Sequence, residues 1–100
     1  MESYEKLVRD NIPDILDQKR VAYEKRVASP EEFKQALINK LTEEVGEFAE
    51  KGDIKELADV IEVLEALKKL PGYENVENIR AQKLAERGGF DKRLILKGEK

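Results

Sequence analysis

The sequence predicts a mostly all-α chain: an antiparallel helical hairpin plus a third helix, completed into a bundle by dimerisation, with short extended segments near 21–27 and 90–96. Three observations carry this prediction. Apolar residues recur at helical spacing from Phe33 to Leu70. Helix start and stop signals punctuate the chain at Ser29-Pro30, Gly52-Asp53, Pro71-Gly72 and Gly88-Gly89. The apolar arcs on the two long helices are also too broad for three helices of one small chain to cover, so a second copy is expected to cover the remainder.

The elements follow in order. Pro13 sits where the first turn of a helix accepts it, which predicts a short helix over Ile12 to Lys19. Val21, Tyr23, Lys25 and Val27 alternate with their neighbours and suggest a short extended segment. Ser29, Pro30 and Glu32 then supply an N-cap, a first helical position and a capping-box acid, opening a helix that runs to Lys51. Gly52 breaks it and Asp53 caps the next, from Ile54 to Leu70, which Pro71-Gly72 stops. Helices joined by so short a link must run antiparallel. A third, shorter helix spans about Glu74 to Arg87, and Phe90 to Leu96 reads as extended.

One hundred residues without repeats or linkers form a single domain, 1–100. With no His and no Cys, the chain has no thiol or imidazole metal ligands, no Cys nucleophile and no His-based triad. Any chemistry must run on carboxylates, cations, hydroxyls or a bound hard metal. No apolar run is long enough to span a membrane, and Met1 to Lys6 lacks the apolar stretch of a secretion signal, so a cytoplasmic location is expected. The net charge of −3 gives no reason to expect nucleic-acid binding. Its distribution is uneven: residues 41–66 carry nine acids and two bases, while residues 79–100 carry seven bases and three acids. Apposition of those two regions would suit a metal and a phosphate, or plain charge complementarity.

Stepping each helix at about 100° per residue separates structural acids from unusual ones. With Phe33 at zero, Leu37, Leu41, Val45 and Phe48 form a stripe and Glu44 falls at about 20°, inside the apolar face, with Glu47 just outside it at about −40°. On the next helix Glu56 falls within the apolar arc and Asp59 on its edge, whereas Glu62 and Glu65 point to the polar side. Burying such carboxylates costs several kcal/mol unless cations compensate them. Salt bridges to Lys51, Lys55 or the cationic third helix are one compensation. The other is a divalent cation: Glu44/Glu47 and Glu56/Asp59 are each spaced i,i+3, and antiparallel packing can bring the pairs together. All-oxygen ligands suit Mg²⁺, with Mn²⁺ as the alternative.

The segment Lys40 to Glu47 (KLTEEVGE), followed by Glu56 to Val63 (ELADVIEV), resembles the paired E-x-x-E and E-x-x-D signature of the all-α NTP pyrophosphatase superfamily. That superfamily includes MazG-like enzymes, dimeric dUTPases and phosphoribosyl-ATP pyrophosphohydrolases. The opening Tyr4 to Pro13 and the tail Glu86 to Phe90 are similar to a small phosphoribosyl-ATP pyrophosphohydrolase-like branch, so the resemblance extends over nearly the whole chain. It implies a nucleoside triphosphate pyrophosphatase that cleaves the α–β phosphoanhydride of a nucleotide, releasing a monophosphate and pyrophosphate, in a house-cleaning role. It matches Glu44, Glu47, Glu56 and Asp59 to Mg²⁺ ligands, with Glu43 in reserve and Glu47 also contacting the attacking water. The eight residues between Glu47 and Glu56 are fewer than the family usually has, which bears on substrate identity more than on metal binding.

Arg80, Lys83 and Arg87 share one helical face, which reads equally as a solvated surface. The resemblance favours Lys83 and Arg87 as phosphate contacts; Arg9 and Asp10 read as further substrate-binding residues or, equally, as a capping or salt-bridge pair. The expected partners are a nucleotide substrate and a second copy in a homodimer or higher homo-oligomer, with neither nucleic acid nor membrane. Two alternatives remain: a non-enzymatic helical dimerisation or regulatory module with structural acids, and a phosphoribosyl-ATP pyrophosphatase of histidine biosynthesis.

Overall fold

The computed structural model describes residues 5–99. Tyr4, which opens the N-terminal motif, and Lys100 of the cationic tail lie outside them. The architecture is all-helical, in the order α1 (Ile12–Gln18), α2 (Pro30–Lys51), α3 (Ile54–Lys68) and α4 (Val76–Arg87).

Local chemistry sets the boundaries of the hairpin. Ser29 is extended, and its Oγ accepts a hydrogen bond from the Glu32 N–H at 3.2 Å, closing the start of α2 over Pro30. At the other end Gly52 adopts φ 65°, ψ 18°, a left-handed conformation in which its N–H donates to the Phe48 carbonyl at 2.7 Å. Asp53 then caps α3, its Oδ1 accepting from the Glu56 N–H at 2.9 Å. With only Gly52 and Asp53 between them, α2 and α3 pack against each other, and this is the dominant helix pairing.

The core is small. Leu37 of α2, Val63 of α3 and Leu70 beyond it are buried, flanked by half-buried Phe33, Leu41, Leu67 and Tyr73, with Leu7 reaching in from the N-terminal segment. The remaining apolar arcs are uncovered: Ile38 and Val45 on α2 and Leu57, Ile61 and Leu64 on α3 are all exposed. Of these, Val45 was placed in the apolar stripe of α2, and arcs too broad for one chain to cover were expected. Only one helix lies along each of α2 and α3, so part of each arc has no neighbour.

Three further expectations need correction. The segments near 21–27 and 90–96 form no strand, because a strand requires a partner to pair with and neither meets one. Side chains tether the first instead: the Tyr23 hydroxyl donates to Asp17 Oδ1 at 2.8 Å, and Arg26 makes a bidentate contact with Glu32 at 2.7 and 2.6 Å. Helix α3 ends at Lys68 rather than Leu70, where Leu70 N–H turns back to the Leu67 carbonyl at 3.1 Å. Helix α4 begins at Val76 rather than Glu74, since the Glu74 carboxylate accepts from the Gly72 N–H at 2.9 Å and so belongs to the preceding turn.

Candidate metal centre

Antiparallel packing carries Glu44, about two-thirds of the way along α2, onto the first two turns of α3. There Glu44, Glu56 and Asp59 each present one carboxylate oxygen, and the three oxygens lie within 4.8 Å of one another. Glu44 is 7% exposed and is the only charged residue among the described ones to be buried. The Glu56 side chain is 13% exposed and that of Asp59 43%, so the group opens outward from Glu44 through Glu56 to Asp59.

Each acid has one cationic neighbour. Lys40 Nζ lies 3.3 Å from Glu44 Oε1, one helical turn before it on α2. Lys51 Nζ is 3.4 Å from Glu56 Oε1, across the interhelical turn. The Arg9 guanidinium donates to Asp59 Oδ1 at 2.8 Å, bringing the N-terminal segment to α3. Of the compensations expected, Lys51 is used, whereas no ion pair joins the acids to Lys55 or to α4 among the described residues. For Arg9 a substrate contact and a salt bridge were both expected, and the structure shows a salt bridge, to Asp59. Lys40 was not singled out, although its i,i+4 spacing to Glu44 is a signal that could have identified it.

The compensation is incomplete. Glu44 Oε2 is buried and has no hydrogen-bond partner among the described residues. An oxygen left in that condition costs about 1–3 kcal/mol. Together with the all-oxygen donor set, this fits a small hard dication better than a further ammonium.

Glu47 lies beside this trio rather than within it. The negative charge of Glu44 raises the Glu47 carboxyl above its ordinary 4.5, aided by partial burial and by Glu56 and opposed by Lys51. Electrostatically, therefore, it belongs to the group.

The remaining candidates stand apart. Asp10, Lys83 and Arg87 are exposed, and none makes a side-chain hydrogen bond or ion pair among the described residues. The cationic tail does not approach the acidic hairpin within one chain: Phe90 and residues 94–96 are almost fully solvent-exposed. A separate open groove of about 590 Å³ lies between α3 and α4, lined mainly by Ile61, Leu64, Leu67, Tyr73 and Val76, and contains none of the three acids. No family model, curated protein or solved structure matches the chain.

Proposed function

We propose that the protein is a Mg²⁺-dependent nucleotide pyrophosphohydrolase, active as a homodimer, that splits the α–β phosphoanhydride of a nucleoside triphosphate or related nucleotide into a monophosphate and pyrophosphate. The observation that carries this reading is the grouping of Glu44, Glu56 and Asp59 with Glu44 Oε2 buried and unpartnered. Those three residues would hold the cation, Mg²⁺ or Mn²⁺. When bound, the ion supplies charge neutralisation for the polyphosphate and acidifies water for attack.

The other roles fall to the chain's own groups. Glu47 stands next to the trio with its proton affinity raised by Glu44, a direction that suits acceptance of a proton from the attacking water. Arg9 faces the same group at its exposed rim, where its guanidinium is open to a phosphate. Lys83 and Arg87 are uncommitted cations on α4, suited to a leaving pyrophosphate once a nucleotide or a second subunit draws α4 inward. Asp10 adjoins Arg9 in sequence and is assigned to the same substrate contact.

Two dimensions support the homodimer. A compact 100-residue domain has a radius of gyration of about 13 Å, whereas this chain has 18.0 Å. The accessible surface is 9788 Å², against roughly 5,800 Å² for a compact monomer of this mass. A single copy thus exposes far more surface than a protein stable on its own.

The test is pyrophosphate release from a panel of nucleotides with Mg²⁺, repeated with Glu44→Gln. The proposal predicts metal-dependent release that Glu44→Gln reduces by at least about a hundredfold, the size of effect seen when a group central to electrostatic catalysis is removed. Absence of turnover on every nucleotide favours the other reading, a non-enzymatic dimerisation module. One observation supports that module: each of the three acids already has a cationic partner.

A further inference from the structure

Each acid of the trio meets its cation on one oxygen: Lys40 on Glu44 Oε1 at 3.3 Å, Lys51 on Glu56 Oε1 at 3.4 Å and Arg9 on Asp59 Oδ1 at 2.8 Å. The three cations differ in how firmly they are held. The side chains of Lys51 and Arg9 are 56% and 58% exposed, and they reach the acids from the end of α2 and from the N-terminal segment. Such exposed pairs contribute little and yield readily to a dication. The Lys40 side chain is only 21% exposed, stands one turn from Glu44 on the same helix, and is held a second time by Glu43 Oε2 at 3.6 Å. Opening that contact would leave the largely buried Glu44 carboxylate without its cation.

We propose that Lys40 sets the metal specificity of this centre: by keeping Glu44 Oε1 occupied it confines the buried carboxylate to one available oxygen, Oε2, and so favours Mg²⁺ and Mn²⁺ over Ca²⁺. The proposal rests on the metal reading of Glu44, Glu56 and Asp59 given above. Among the described residues no donor reaches Oε2, so the oxygen that Lys40 leaves over is also the one lacking a partner.

The discrimination follows from counting oxygens. Ca²⁺ takes about 6–8 oxygen ligands and readily accepts a carboxylate through both of its oxygens, whereas Mg²⁺ holds a near-octahedral shell, keeps several waters and needs few carboxylates. Glu44 is the most enclosed of the three acids, and with both oxygens available it would be the two-oxygen ligand that Ca²⁺ prefers. Lys40 removes that option. Charge alone does not discriminate, because the three ions carry the same charge. Lys40 acts through Glu44 rather than on the ion, so it is a positioning residue.

Calorimetric titration of the full chain with Mn²⁺ and with Ca²⁺ tests this. Wild type should bind Mn²⁺ at least about tenfold more tightly than Ca²⁺, and Lys40→Met, which keeps the length of the side chain without its charge, should cut that ratio about tenfold, as expected when a group that orients a metal ligand is removed. Lys55→Met, which removes a cation of α3 that pairs with none of the three acids, should leave the ratio unchanged. A role confined to packing or overall charge would move both affinities together, and an unchanged ratio in Lys40→Met therefore overturns the proposal. Ca²⁺ binding to wild type as tightly as Mn²⁺ overturns it too, and that measurement requires no variant to fold. Glu44→Gln separates this result from the metal reading. Binding that Glu44→Gln abolishes, with a ratio that Lys40→Met does not move, keeps the metal centre and removes the role of Lys40; wild type that binds neither ion removes both.

Discussion

Glu44→Leu is expected to make the metal-free protein more stable while abolishing its response to divalent cations. The wild-type side chain is nine-tenths buried, with Oε2 unpartnered and Oε1 3.3 Å from Lys40. Removing the orphan oxygen recovers about 1–3 kcal/mol. Losing the Lys40 contact costs little, about 0.2–1 kcal/mol, because Lys40 retains Glu43 at 3.6 Å. Leucine has a similar volume and enters a face already lined by Leu37 and Leu41. The net gain is about 1–2 kcal/mol, which for a domain of this size raises Tm by roughly 4–16 °C. Thermal melts followed by circular dichroism, in EDTA and then in Mg²⁺, measure both effects. Wild type should gain stability with Mg²⁺ and the variant should not. A variant that melts lower than wild type in EDTA would refute the reasoning, because the buried carboxylate would then be a net stabilising group with no need of a metal.

Three other outcomes are expected. Glu47 has a carboxyl raised above 4.5 by Glu44 first, so its contribution to stability is full below that value and is lost as pH rises through the raised one. Without metal, Glu47→Gln should therefore melt higher than wild type at pH 7, with the gap closing toward pH 4 in a series of melts. Arg9→Gln removes the cation paired with Asp59 at 2.8 Å and should tighten Mn²⁺ binding severalfold in calorimetry, while raising KM for a nucleotide. Asp53→Ala deletes the cap on the Glu56 N–H, should cost about 1 kcal/mol in urea unfolding, and should weaken Mn²⁺ binding by loosening the first turn of α3.

Much of the hairpin was legible because its signals are local. Ser29, Pro30 and Glu32 define the start of α2, and Gly52 and Asp53 define its end and the next start, each through a hydrogen bond within four residues. The burial of Glu44 was equally readable, since a helical repeat of about 100° leaves little freedom in which face a residue shares with Leu37 and Leu41. What the chain concealed was long-range. Arg9 and Asp59 are fifty positions apart, and no periodicity links a loop arginine to a particular helical carboxylate. The alternation at residues 21–27 resembled a strand, but pairing depends on a neighbour that sequence pattern does not supply. The exposed Ile61 and Leu64 show the same limit: amphipathic phase identifies an apolar face without saying which molecule covers it.

The central claim is that Glu44, Glu56 and Asp59 together hold one divalent cation. Crystals grown with Mn²⁺ and measured for anomalous scattering test it most directly. The account predicts one strong peak bonded to an oxygen from each of the three side chains, with Glu44 Oε2 no longer unpartnered. A map in which manganese occupies only other surface carboxylates, while Lys40, Lys51 and Arg9 keep their places on the trio, would contradict it.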